Sequence, residues 1–177
     1  MGPLRSWNSR TGQSSGSRRL AFPIDLIDQV IASGTRFGCV LADGGYGSSW
    51  TFRKALSERG LFWAVGLSPR QNVYPADIAL SFPVAKLGKR RNYHVPDRPA
   101  ISAELMLVEK KWKKITWRRG TKGNLTCQSA ACRVRVADGH KHRMLDDRVQ
   151  CMPGEEVWLV GERRSTGAKL LCVESAC

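Results

Sequence analysis

The sequence is short of acid. It sets 15 aspartates and glutamates against 29 lysines and arginines, for a formal net charge of +14 and a pI near 10.1. That balance argues against a polycationic partner and favours a polyanion, because each neutralised phosphate releases a counterion. It does not separate DNA from RNA or from an anionic membrane. Long apolar runs are missing as well. None approaches the length that crosses a bilayer, and the first residues lack the apolar core of a secretory signal, so no membrane partner is expected. No Gly-Lys-Ser/Thr phosphate loop is present, and Gly45 and Gly47 are followed at the third position by Trp50, where a dinucleotide fingerprint needs glycine or alanine. His94, His140 and His142 lie in polar loop sequence with no serine or cysteine in a nucleophile elbow, which leaves a hydrolase triad without support. The six cysteines (39, 127, 132, 151, 172 and 177) form no disulfide framework in a chain of otherwise cytosolic character. Cys127 and Cys132 with His140 and His142 have the wrong spacing for zinc, and the intervening RVRV reads as a strand.

What is present is enough for one domain. The chain has 177 residues, 42% of them hydrophobic, so a packed core is within reach. Its central stretch is RFGCVLADGGYGSSW, residues 36–50. Phe37 to Ala42 reads as a strand covered on both faces, Asp43 stands at its carboxyl end, and Gly44, Gly45 and Gly47 make a turn. Ser48 or Ser49 caps the following helix, in which Phe52, Ala55 and Leu56 fall at core spacing. Gly60 closes that helix in the left-handed conformation, and Leu61 to Leu67 is a second strand. Strand, helix and strand of this length predict a parallel crossover, with ligands gathering outside the carboxyl ends of the strands. Asp43 sits there. A carboxylate in that position suits a hard divalent cation such as magnesium. The same residue also reads as an Asx-turn acid capping the Gly-Gly bend. Both readings stand on these residues alone.

Around this unit the chain divides by composition. Residues 1–20 are rich in Gly, Ser and Arg and are expected to be disordered. Pro23 is expected to open a helix whose apolar face, Ile24, Ile27, Val30 and Ile31, packs on the sheet, with Gly34 ending it. Residues 68–100 carry five prolines and the basic knot KLGKRR (86–91), and predict an irregular connection with short extended pieces. A helix is expected over 102–112 with Leu105, Val108 and Trp112 facing the core, and the remainder reads as strands. The expected fold class is therefore α/β (α+β). Lys113, Lys114, Arg118, Arg119 and Lys122 crowd into a short strand and turn, and Arg133 and Arg135 share one strand face by period two. They can track a phosphate backbone or simply form a solvated face. Trp112, Trp117 and Trp158 can stack on unpaired bases, although core packing is the commoner fate of such tryptophans. Asp77 and Asp97 are loop acids without an expected role.

FGCVLADGGYG, FRKALSERGLFWAVGL, KITWRRGTKG, RVRVADG and PGEEVWLVGERRSTG, in this order, resemble bacterial insertion-sequence transposases with a DDE superfamily endonuclease domain. The resemblance covers roughly residues 24–169. It implies an RNase H-like core at 21–67 and a β-rich inserted subdomain at 101–177. It also implies three acids that hold two magnesium ions, of which Asp43 would be the second. The implied activity is cutting and joining of DNA strands by phosphoryl transfer, on element ends and target DNA. The implied setting is the bacterial cytoplasm, with a homo-oligomer possible when intact. One aspartate cannot hold two ions about 3.5–4 Å apart. The only acids before Asp43 are Asp25 and Asp28, in a predicted helix, while Glu155, Glu156, Glu162 and Glu174 lie in strand-like sequence. The expectation is a central piece of such an enzyme, truncated at both ends, that binds DNA without cleaving it. The alternatives are a non-enzymatic basic nucleic-acid-binding module and, less well matched, a nucleotide-binding α/β enzyme.

Overall fold

The computed structural model describes residues 15–82, 93–121, 123–143, 149–164 and 169–175. The chain divides into two compact units, Met1–Arg36 and Phe37–Cys177. In the first, helix α1 runs Ser15–Ala32 with Pro23 inside it. The expected start at Pro23 is thus eight residues late, and residues 15–20, expected to be disordered, are helical. Arg18, Arg19, Leu20 and Ala21 are good helix formers and carry the helix back beyond the proline. Gly34, at φ +75°, ends it as expected, and its N–H donates to the Ile31 carbonyl. Ile24 and Ile27 are half-buried, whereas Val30 and Ile31 are exposed.

The second unit opens with β1 (Val40–Ala42), the short turn α2 (Gly44–Gly47), α3 (Trp50–Glu58) and β2 (Trp63–Gly66). β1 and β2 pair in parallel, with Val40 opposite Trp63 and Ala42 opposite Val65. The Ser49 hydroxyl accepts from the Phe52 N–H, so the serine cap is where the sequence placed it. Gly60, at φ +64°, closes the helix. Next come β3 (Asn72–Pro75), β4 (Leu80–Ser81), β5 (Val95–Pro96), β6 (Ile101–Ser102) and α4 (Ala103–Val108). The remainder is β7 (Lys113–Gly120), β8 (Gly123–Arg143), β9 (Val149–Arg164) and β10 (Lys169–Ser175). The main sheet runs β1-β2-β10-β9-β8-β3-β6, and β7 also pairs with β8. β10 lies antiparallel to β2, so the β-rich part joins the α/β part in one mixed sheet. The fold is α/β, in keeping with an RNase H-like class. The basic knot at 86–91 lies outside the described residues.

Register shows which face is the core. Ala42, Val65, Val173, Leu159 and Cys132 form one row across five strands. Val65, Val173 and Leu159 are fully buried in it. Helix α3 covers this face, its Ser57 hydroxyl accepting from the indole N–H of Trp63. The next row, Leu41, Ala64, Glu174, Trp158 and Arg133, points the other way by strand alternation. Leu41 is 77% exposed there, and the strand spans only Val40–Ala42. The expectation of a strand from Phe37 covered on both faces is therefore corrected. An apolar run also fits a short strand at the end of a sheet, where nothing pairs its outer edge among the described residues. Helix α4 is likewise shorter than expected. It buries Ala103, Met106 and Leu107 and exposes Leu105 and Val108. Both sets fit a helical period, and six residues are too few for periodicity to choose between them.

Candidate active site and nucleic-acid interface

Asp43 leaves β1 with extended backbone (φ −77°, ψ 179°) and caps α2. Its Oδ1 accepts the Gly45 N–H at 2.9 Å, and its carbonyl accepts from the Tyr46 and Gly47 N–H groups at 3.2 Å each. The capping role is therefore present. The residue is exposed, and its other carboxylate oxygen has no hydrogen-bond partner among the described residues. The turn is pressed against the end of β2. A Cβ on Gly47 would run into the Gly66 carbonyl oxygen, and one on Gly66 would lie 2.6 Å from the Gly44 nitrogen. Only glycine fits at these two crossing points. The Tyr46 ring packs on Phe52 with centroids 5.3 Å apart, as a residue of the turn's support.

A buried arginine fastens this turn from behind. Arg53, one turn into α3 and only 5% exposed, donates from Nη1 to the Gly47 carbonyl and from Nη2 to Asp138 Oδ2 on β8. Burial pushes its pKa down to about 10, while the charge of Glu155 works in the opposite direction. It therefore stays a cation at neutral pH. Asp138 Oδ1 is buried with no hydrogen-bond partner among the described residues. Neither residue stands out in the sequence, although a signal exists: continuing the period of Val134 and Val136 puts position 138 on the core side, where an acid needs a cation.

A two-ion cage needs several carboxylates. Among the described residues no group of three or more His, Cys, Asp or Glu side chains comes together. Asp25 and Asp28 lie on α1, and Glu155, Glu156, Glu162 and Glu174 lie on β9 and β10. Asp77 and Asp97 both engage Arg98, at 3.2 and 3.6 Å. Asp43 can offer one oxygen to a divalent cation, but the described residues do not complete a cage around it. Cys127 and Cys132, five residues apart on β8, point to opposite faces, which rules them out as a ligand pair.

The basic residues separate into two groups. Lys113, Lys114, Arg118 and Arg119 lie on β7, every residue of which is exposed. Lys122 lies outside the described residues. The ribbon of β7 and β8 runs on past β9, whose pairing with β8 begins only at Cys127. Arg133 and Arg135 do not extend this surface as expected. Arg133 pairs with Glu156 at 2.6 Å and lies over the Trp158 ring, while Arg135 is half-buried and donates to the Gly154 carbonyl. The tryptophans also differ from the expectation of core packing. Trp112 is half-buried beneath Arg163, but Trp117 is 53% exposed at a register shift in β7. Trp158 is exposed on the open sheet face.

Among the described residues no helix is long and apolar enough to cross a membrane. No curated protein matches the sequence. The model of the DDE superfamily endonuclease family matches residues 11–124, more than half of the chain, and that span contains Asp43, its glycine turn, α3 and all of β7. With a parallel strand pair ending in an exposed acid, and with this match, the chain belongs to the DDE superfamily endonucleases.

Proposed function

We propose that this chain is the DNA-holding part of a transposase-type DDE endonuclease, and that by itself it binds DNA without cutting it. The observation that carries the reading is β7: four cations on one fully exposed strand, in a chain of net charge +14 from an endonuclease family. The DDE superfamily endonucleases are generally divalent-metal dependent. Magnesium is the ion best matched to a carboxylate at a strand's end, and Asp43 would supply one of its ligands. The remaining acids would have to come from outside the described residues. The bacterial, cytoplasmic and insertion-sequence setting, and assembly as a homo-oligomer, rest on the resemblance of the motifs alone.

The test is a salt titration of duplex binding. Neighbouring residues of a strand point to opposite faces, so one face of β7 offers two cations. Two phosphate contacts give a slope of log K against log salt of about −1.8, and losing one of them lowers its magnitude by about 0.9, as Lys113→Ala or Lys114→Ala tests for each face. No binding at low salt, or binding indifferent to salt, refutes the reading. A second reading, a non-enzymatic nucleic-acid-binding module, is favoured by the hydrogen bond from Gly45 to Asp43 and by the lack of an acidic cluster among the described residues. Asp43→Asn separates the two, because asparagine caps as well as aspartate but is a poor ligand for magnesium. If the variant keeps both fold and manganese affinity, Asp43 is a structural cap only.

A further inference from the structure

A cavity of about 670 Å³ opens between α3, the side chains of Leu80, Tyr93 and His94, and the irregular part of the β8–β9 pair. It lies within the second unit and shares no residue with the Asp43 turn or the β7 surface. Its walls are mainly flat or apolar: Trp50, Tyr93, His94, Met152 and Pro153, with Lys54 at the side. His94 is braced by the Phe82 ring, with centroids 4.0 Å apart. Trp50 and Lys54 are one helical turn apart, and the Lys54 ammonium lies 4.8 Å from the centre of the Trp50 ring. Of the two acids on the lining, Asp138 is neutralised by Arg53, and Glu155, whose charge also acts on Arg53, has no direct ion pair among the described residues.

Resting on the DNA-binding reading above, we propose that this cavity takes one unpaired nucleotide, its base against Trp50 and its phosphate on Lys54. The volume is in the range of small-molecule sites, and an aromatic face beside a cation is what a nucleotide offers surfaces to. Lys54 already has Glu58 at 3.6 Å, but that pair is exposed on both sides, and a phosphate exchanges into it at little cost. Trp50 is 37% exposed beside a cavity, although its neighbour Phe52 is buried. Glu155 is an acceptor that the N–H edge of a base can meet. The nucleotide can belong to a frayed DNA end or be free in solution, and the chemistry of recognition is the same.

The experiment follows 2-aminopurine fluorescence with the full chain in two arms. One arm is a duplex with 2-aminopurine in an unpaired two-nucleotide overhang; the other is the free 2-aminopurine deoxynucleoside monophosphate. Stacking on Trp50 quenches the probe, Trp50→Ala weakens probe binding by about 5- to 100-fold, and Trp50→Phe keeps most of it. Lys54→Ala weakens binding of the monophosphate but not of the nucleoside lacking phosphate. Circular dichroism and melting confirm that each variant is folded. Trp50-dependent quenching in the overhang arm supports capture of a DNA end. Quenching by the free nucleotide alone supports the pocket while removing the DNA source. Absence of Trp50-dependent quenching in both arms overturns the proposal. Failure of the salt titration leaves the free-nucleotide arm readable, so the two readings fail separately.

Discussion

Removing Asp138 tests the account of the turn behind Asp43. The Arg53 and Asp138 side chains are 6% and 13% exposed, and the pair joins α3 to β8 across 85 residues of sequence. Asp138→Ala leaves a guanidinium buried with the Gly47 carbonyl and the charge of Glu155 to hold it. Breaking one side of such a pair costs about 3–5 kcal/mol, because the remaining charge is stranded in a poor solvent. That is a large share of the ~5–15 kcal/mol that holds a domain folded. Arg53→Met exposes the opposite weakness. It strips Asp138 of its cation when Oδ1 already has no partner among the described residues. The double variant Arg53→Met with Asp138→Leu, in contrast, should recover most of the loss, since apolar replacement of a buried ion pair is often neutral. Urea unfolding checks this: each single variant lowers the midpoint with an unchanged slope, and the cycle gives a coupling of at least ~2 kcal/mol. If Asp138→Ala falls within ~1 kcal/mol of the parent, water reaches the pair, and the clamp on the turn is not what holds Gly47 in place.

Three further outcomes follow from the same geometry. Gly47→Ala would put a methyl into the Gly66 carbonyl, so the turn must lift off β2, at a cost of about 1–3 kcal/mol visible as a lowered Tm; an unchanged Tm refutes the close approach. Ser49→Ala removes the acceptor for the Phe52 N–H and should cost about 1 kcal/mol, whereas Ser48→Ala, whose hydroxyl caps nothing among the described residues, should cost little. Cys172 is pushed up to about 11, first by burial and then by Glu174 and Glu162. Because only the thiolate is nucleophilic, alkylation at pH 8 should mark exposed Cys39 well before Cys172, and Cys172 should become reactive only as pH approaches 11. Its raised value also means that any stability tied to the protonated thiol is complete below about pH 9 and is lost between there and about pH 11. Equal labelling of both residues at pH 8 would contradict the burial.

Much of the unit around Asp43 was legible because its signals are local. A serine before an amphipathic stretch, a glycine after it and apolar runs on either side specify strand, turn, helix and strand, and the parallel pairing follows from the length of the crossover. The alternation of RVRV likewise announced which residues of β8 would be buried. The same letters could not say whether Leu41 would be covered, because that depends on what lies beside β1. Nor could they choose between Leu105 and Met106 as the inward side of a six-residue helix.

The motifs that resemble the DDE endonucleases, together with the net positive charge, were fixed by composition and order along the chain. Tertiary structure decided what no short window contains. It brought Arg53 to Asp138, drew Arg133 onto Glu156, and left Trp117 exposed beside the β7 cations. It also set β10 against β2. These pairings join residues far apart in sequence, and their free energy comes from desolvation and register, which exist only once the strands have met.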